Sequence, residues 1–440
     1  MNATLPIVRK PYLRADDKGH VAIRVPPVEA ATRGWSLQAE EATDEGSHSH
    51  ALSRECVAGQ DKASNATTST AELQAMLGRC TVVLLLPAIY PINATLQVDA
   101  NSAPSLVAIL GVGLATLRLM VPQPALQIAS TRLRLSGVMI DVAFPGSKAQ
   151  TNLSIVDWQR ASTLTSEGAA KQPGASIHDL FVRTWRDPRI ANQWVPSAYR
   201  SMLRVRQPGL IIDHVWLWMA DHDCVGYPAP SSVEHGLEVE AADVIAYALQ
   251  VEHQIKELVL WSGEGGTTVM LQTEAAYTGA ANPGCYTVTA ATHTGYGIGS
   301  CETHPLSYPL DGLPVCIAIA PARQLLLVRW VGRPYRHCRG ARPYPRSCLP
   351  LAPSLADGVT SRGHVATRLP PASAFRGTFH NLLSMSINGP QLIPHIVCFG
   401  NGTSAQCQGV AQAPGKSYHS LRCPPSATTS GACSFVINHD

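Results

Sequence analysis

Four segments of this chain align without gaps over seventeen residues. They begin at Leu126 (LQIASTRLRLSGVMIDV), Leu203 (LRVRQPGLIIDHVWLWM), Leu237 (LEVEAADVIAYALQVEH) and Leu258 (LVLWSGEGGTTVMLQTE). In the first three, the same six offsets are apolar. They hold Leu126, Ile128, Leu133, Leu135, Val138 and Ile140; Leu203, Val205, Leu210, Ile212, Val215 and Leu217; and Leu237, Val239, Val244, Ala246, Leu249 and Val251. The fourth keeps Leu258, Leu260 and Met270 and loses the rest. Members of each pair are two residues apart, which puts both on one face of a strand. Turn-like breaks separate the pairs: Arg206-Gln207-Pro208-Gly209, Ala241-Ala242-Asp243 and Gly263-Glu264-Gly265-Gly266. Three short strands per unit, repeated in register, describe a coil of a parallel β-helix, whose stacked coils bury one continuous core. An antiparallel sandwich would explain the alternation but not the fixed register. Ile177-His178-Asp179-Leu180-Phe181-Val182 and Phe379-His380-Asn381-Leu382-Leu383 read as further third strands.

A single helix is legible, Ser69 to Leu77, with Ser69 as its cap, Glu72 three residues on, and Leu73, Met76 and Leu77 on one face. An apolar strand, Thr81 to Leu86, and Pro87 follow it. The pattern predicts a helix that caps the first coil and shields its open edge. The chain is thus expected to be all-β with an N-terminal capping helix: an N-terminal segment 1–68, a parallel β-helix 69–305, an irregular insertion 306–374, a final coil 375–404 and a tail 405–440.

Composition narrows the function. Hydrophobic residues make up 45% of the 440, charged residues 15%, and the net charge is +3. That supports a packed core and offers no general field for nucleic acid or an anionic membrane. No apolar run is long enough to span a bilayer. The twelve cysteines form no C-x-x-C pair, so neither a zinc ribbon nor a thioredoxin motif is signalled. Five N-x-[S/T] sequons, at Asn2, Asn65, Asn93, Asn152 and Asn401, join the even cysteine count in predicting a disulfide-bonded extracellular or cell-wall glycoprotein. Met1 begins no signal peptide, and we read the start as a fragment or a missing 5′ end. Residues 312–356 contain no Asp, Glu or Lys but seven arginines between Arg323 and Arg346, with Trp330, Tyr335 and Tyr344 nearby. A patch of that kind suits RNA or an anionic glycan; its composition is better matched by translated intron sequence. The tail after Ser404, rich in Ser, Thr and Pro, reads as a loop or linker.

Specific stretches then carry a resemblance. The order helix, Cys80-Thr81-Val82-Val83-Leu84-Leu85-Leu86-Pro87-Ala88-Ile89-Tyr90-Pro91-Ile92, then Leu106 to Leu117, resembles the entry to right-handed, single-stranded parallel β-helices of the pectate-lyase superfamily. That family usually has Gly between the Pro and the Tyr. Ile211 to His222, Gly236-Leu237-Glu238-Val239, Val251-Glu252-His253 and Trp261 to Thr267 resemble a group of secreted microbial β-helix proteins. These often bear automatic names such as adenylyl cyclase or coagulation factor 5/8-type protein, and are related in fold to laminarinase-type exo-β-1,3-glucanases. The resemblance spans roughly residues 5–305 and 375–403 and implies a pectin-lyase-like fold and a glucan-type substrate. It departs at Met219, where the group has Arg, and at Glu240 and Ser262, where Asn is usual. The Met219 departure removes a cation from a cluster of Arg, His and Glu.

Glycoside hydrolysis needs two carboxyl groups flanking the scissile bond. Residues at one offset stack on adjacent coils. The last offset reads Val142, Met219, His253, Glu274, and the one before it reads Asp141, Trp218, Glu252, Thr273. Glu252, at an outward offset, is the first candidate carboxylate, with Asp221, Glu264 or Glu274 as its partner and His253 beside it. Each also has a structural reading. Asp221 and Asp223 can order a loop, Glu264 can be a solvated turn residue, and His253 a corner residue bonded to backbone. Six of eight tryptophans fall between Trp158 and Trp261. Trp216 and Trp218 alternate with Leu217 and so face outward; with Trp261, His222 and Tyr277 they form the candidate sugar-binding set. Asp221-His222-Asp223 lacks a second cluster, so no metal is expected. No Walker A, G-x-S-x-G or dinucleotide fingerprint appears, and no cofactor is expected.

The sequence therefore predicts a monomeric glycoside hydrolase acting on a polysaccharide or oligosaccharide, with no nucleic-acid partner and no membrane span. A non-catalytic glycan-binding or cell-wall protein on the same scaffold is the alternative. A polysaccharide lyase ranks last, because a lyase needs cations beside its carboxylates and Leu210 to Glu274 offers only Lys256.

Overall fold

The computed structural model describes residues 6–29, 47–59, 68–142, 152–161, 174–184, 199–220, 233–254, 256–274, 286–302, 365–369, 375–384, 395–399, 407–408, 417–422 and 434–438. Among them the chain is nearly all β, with one α-helix and two long, mostly parallel sheets of 15 and 10 strands. One coil shows how they arise. Tyr199–Val205 enters the 10-stranded sheet; Ile211–Asp213 and then Trp216–Met219 enter the 15-stranded one. The next coil repeats the order with Val233–Val239 and Ile245–Glu252, a continuous strand that supplies both the middle and the third segment.

The register follows the apolar repeat. Leu203 pairs with Leu237, Ile212 with Ala246, and Leu217 with Val251. A coil built from Ser154–Trp158, Ser176–His178 and Phe181–Thr184 lies between the first two aligned segments, with Val156 paired to both Leu126 and Leu203. Ile177, read from sequence as part of a third strand, is in a middle strand, and Phe181–Thr184 is the third. Leu126, Ile128, Leu135, Ile140, Leu203, Val205, Leu217, Leu237, Val239 and Val251 are all buried in one core.

The fourth segment is displaced by one residue from the ungapped alignment. Val259, not Leu258, pairs with Leu237, and Leu271, not Met270, pairs with Leu249. Started at Val259, the repeat continues through Trp261, Thr268, Leu271 and Thr273, all buried. Met270 is instead a corner residue, 65% exposed with φ 60°. It belongs to a ladder of left-handed residues between middle and third strands: Gly137, Asp179, His214, Ala248 and Met270. Each bends the chain between the two strands without inserting a loop.

Ser69 and Glu72 form the reciprocal capping box the sequence predicts, at 3.2 and 2.7 Å. The helix, Thr70–Arg79, buries Leu73, Met76 and Leu77 against the first coils. A small apolar cavity lies there, lined by Leu73, Leu77, Val83, Leu96 and Leu117 among others. A disulfide, Cys56–Cys80, ties the helix's C-cap residue to the residue before the strand Val57–Ala58.

The N-terminal segment adds an antiparallel sheet of Tyr12–Ala15, Val21–Val25 and His48–Ala51, whose Ile23 and Val25 pack on Val82, Leu84, Ala108 and Leu110. Val8 packs on Ile211 and Ile245, and Lys10 pairs with Asp179 at 2.7 Å. Burial pushes the neighbouring Asp213 carboxyl up, but hydrogen bonding with His178 and His214 outweighs it and holds the group at about 2.

Two expectations for the C-terminal part change. Val365–Leu369, inside the stretch read as an insertion, is a strand paired in parallel with Tyr286–Val288 and His395–Phe399. The tail is not only loop: Ser417–Arg422 pairs antiparallel with Thr378–Ser384, and Ser434–Asn438 pairs with it in turn. Antiparallel pairing there satisfies the edge groups of the last coil. Residues 311–357, including Trp330, Tyr335 and Tyr344, lie outside the described residues. No helix among the described residues is long and apolar enough to cross a membrane.

Gly137 and Gly111 approach so closely that a Cβ on either would overlap the other's carbonyl oxygen, and Gly137 has φ 68°. We expect Gly137→Ala to destabilise the fold by at least ~2 kcal/mol. Urea unfolding of the variant beside the wild type checks this.

Candidate active site on the third-strand ladder

Outward side chains of the third strands form two columns on one face of the stack. The first runs Thr116, Met139, Phe181, Trp216, Gln250, Gln272. The second runs Arg118, Asp141, Arg183, Trp218, Glu252, Glu274. Successive members sit about 4.8 Å apart by the spacing of paired strands.

At one end of the second column Asp141 is fully buried between two guanidinium groups. Arg118 Nε donates to it at 2.9 Å, and Arg183 Nη2 at 3.3 Å. The middle is aromatic. Phe181 and Trp216 stack with centroids 4.6 Å apart and planes 8° apart, and Trp216 and Trp218 lie 5.4 Å apart. Both tryptophans are half-buried, so the stack presents ring surface to solvent while its backbone is fixed by parallel pairing.

Glu252 and Glu274 follow in the column as direct register partners, and Glu274 pairs in turn with Glu302 of the strand His293–Glu302. The displaced fourth repeat explains why the sequence put Thr273 opposite Glu252. Once Val259 takes the first offset, Glu274 moves from an inward to an outward position. Gln272 Nε2 donates to Glu252 Oε1 at 3.4 Å. Glu252 is 6% exposed.

His253 follows Glu252 with φ 72°, a left-handed conformation that a residue bearing a side chain adopts under strain. That turn takes its imidazole out of strand alternation. The ring is fully buried; Nδ1 accepts from Trp218 Nε1 at 3.2 Å and lies 3.3 Å from the Met219 carbonyl oxygen. Nε2 is 3.5 Å from Glu274 Oε1, and the His253 amide donates to the Glu274 carbonyl at 2.8 Å. One donor atom each from Glu252, His253 and Glu274 lie within 4.8 Å of one another. Such a set has the donors of a small cation site and equally those of a proton-transferring pair with a positioning base.

The other predicted residues separate from this group. Glu264 sits at the opposite end of the strand Gly266–Glu274, in the turn before it. It accepts from the amides of Ala291 and Thr292 at 2.7 and 2.8 Å and from the Thr292 hydroxyl at 2.6 Å. Burial raises its carboxyl, but these bonds outweigh it and hold it below its ordinary value. That is the structural reading of Glu264. Trp261 is not a surface ring: it is fully buried, with Nε1 donating to the Gly263 carbonyl at 3.1 Å. The one-residue displacement turns it inward. Met219 is also in the core, 1% exposed, so its side chain does not take part in a charged outer cluster. Lys256 is paired with Glu234 at 2.6 Å. Asp221, His222 and Tyr277 lie outside the described residues. Phe181, Arg118 and Arg183 were missed as site-face residues. Aligning Val182 with Leu217 would have placed Phe181 against Trp216.

Stacked coils with long, mostly parallel ladders and one α-helix are consistent with a pectate-lyase-like β-helix fold. Comparison with known proteins supports the same fold. The profile of the LAM55 pectate lyase-like domain matches residues 62–274. An exo-beta-1,3-glucanase of Streptomyces sp. (strain SirexAA-E / ActE) is 29% identical over 238 residues, covering 50% of this chain and 35% of the relative. This chain therefore spans about a third of the curated relative's length. Among solved structures, that of sacteLam55A from Streptomyces sp. SirexAA-E has a TM-score of 0.58 at 20% identity, covering 93% of this chain and 62% of that one. A variant of the same enzyme in complex with glucose has a TM-score of 0.57, also at 20% identity, with the same coverage.

Removing the Asp141 charge leaves two adjacent guanidinium groups uncompensated. We expect Asp141→Asn to lower stability by about 3 kcal/mol, the range found when one member of a buried ion pair is removed. Thermal and urea unfolding at neutral pH measure the loss.

Proposed function

We propose that this chain is a glycoside hydrolase that cleaves a β-glucan, β-1,3-linked first, on the outer face of its third-strand ladder. Glu252 and Glu274 are the carboxyl pair. Trp216 and Trp218, with Phe181, form the surface on which sugar rings stack. The observation that carries this reading is the pairing of Glu252 with Glu274 next to Trp218 on one column. Hydrolysis of a glycosidic bond needs one carboxyl group to protonate the leaving oxygen and another to act as base or nucleophile. Two glutamates on adjacent, register-paired strands stand side by side without a mobile loop. The aromatic rings beside them offer flat apolar surface suited to the faces of neutral sugars.

The similarity to an exo-beta-1,3-glucanase supports the choice of substrate. The arginines of the column argue against a lyase, since both already serve Asp141. Asp221, His222 and Tyr277 follow the ends of the site strands in sequence and belong to the proposal as substrate-face residues. So do right-handed coiling in a single-stranded β-helix, capping of the first coil by Thr70–Arg79, kinship with the secreted microbial β-helix proteins, and action as a monomer outside the cell.

The test is release of reducing sugar from a panel of β-1,3-, β-1,4- and α-glucans and polygalacturonate. We expect release from a β-1,3-glucan, with Glu252→Gln and Glu274→Gln each slowing kcat by at least ~100-fold while Glu264→Gln stays near the wild type. Binding without release from any glycan would assign the scaffold to glycan recognition instead.

A further inference from the structure

We propose that the Trp218 indole fixes the tautomer of His253, and that His253 in turn positions the Glu274 carboxyl; the second step rests on the hydrolase reading above. An indole N–H donates and has no lone pair to accept with. Its partner, His253 Nδ1 at 3.2 Å, must therefore be the bare nitrogen of the ring. In the neutral imidazole the proton then sits on Nε2. That nitrogen faces Glu274 Oε1 at 3.5 Å. The distance is long for a hydrogen bond, as such contacts commonly are before substrate arrives.

A competing arrangement is present in the same geometry. The Met219 carbonyl oxygen lies 3.3 Å from Nδ1 and would accept from it. A ring protonated there breaks the Trp218 bond and leaves Nε2 as an acceptor facing a carboxylate. The indole decides between the two. The left-handed backbone of His253 brings the ring to this point: ordinary strand alternation would send it into the core, as it does Met219 at the matching position of the coil below.

Trp218 thereby has two roles. Its ring belongs to the aromatic stack, 5.4 Å from Trp216, and its N–H sets the state of the residue behind Glu274. Sugar stacking and carboxyl orientation meet in one side chain.

The test uses the full chain labelled with 15N-histidine. Signals of His253, assigned by their loss in His253→Gln, are expected to show a neutral ring protonated at Nε2. Trp218→Phe keeps an aromatic ring and removes the N–H, and should move the ring toward protonation at Nδ1. On a β-1,3-glucan, Trp218→Phe is expected to hold KM within about twofold and lower kcat about tenfold to a hundredfold, the scale of a small misplacement of a reacting group. His253→Gln, whose amide can donate toward Glu274, should retain more kcat than His253→Leu. A wild-type ring protonated at Nδ1 overturns the proposal, as does a Trp218→Phe loss confined to KM. If the wild type hydrolyses no glucan, the hydrolase reading and the positioning role fail together, while the spectra still decide the tautomer. Should Trp218→Phe not fold, the wild-type spectrum and the two His253 variants carry the decision.

Discussion

Parallel register is the constraint from which the rest of the molecule follows. Among the described residues, strands inside the stack pair with a coil above and a coil below, so a residue's face is fixed by its partners rather than by its own neighbours in sequence. Leu203, Leu237 and Val259 stand in one inward column, and Trp218, Glu252 and Glu274 in one outward column. A displacement of one residue in any coil would exchange the two sets. The ladder of left-handed corners keeps the register from drifting, because each coil changes direction at the same point. At the corner between Gly111 and Gly137 the coils approach so closely that only glycine fits.

Much of this was legible in the sequence. Six apolar offsets in fixed register gave the coil, its three strands and its inward positions, and Ser69 with Glu72 marked the helix. What was not legible has a specific cause. The fourth repeat places Leu258, Val259 and Leu260 in a row, so apolarity alone gives three choices of first offset. Leu258 matches as well as Val259, and only pairing with Leu237 decides between them. That single ambiguity misplaced Trp261, Met270 and Glu274 together. The antiparallel tail was hidden for another reason: Ser417–Arg422 and Ser434–Asn438 lie among Ser, Thr and Pro, and are strands because an open edge needs partners.

The candidate site was half legible. Outward parity placed Trp216, Trp218 and Glu252 on the outer face, where the register has them, since alternation with Leu217 and Val251 leaves no other face. Glu274 was named for the wrong offset, and Glu264 was named for its residue type alone, in a turn whose amides and hydroxyl already use its oxygens. His253 needed a backbone conformation that no local pattern announces. The Met219 departure, read as a lost cation, instead places a methionine in the core. This chain uses the position for packing.

The central claim is that a glucan lies along the aromatic stack with its scissile oxygen between Glu252 and Glu274. A crystal structure of the Glu274→Gln protein with a β-1,3-linked gluco-oligosaccharide tests it most directly. The account predicts a sugar ring stacked on Trp216 or Trp218 and a glycosidic oxygen within hydrogen-bonding reach of residue 252 or 274. An oligosaccharide bound on another face, with the third-strand ladder unoccupied, would contradict it.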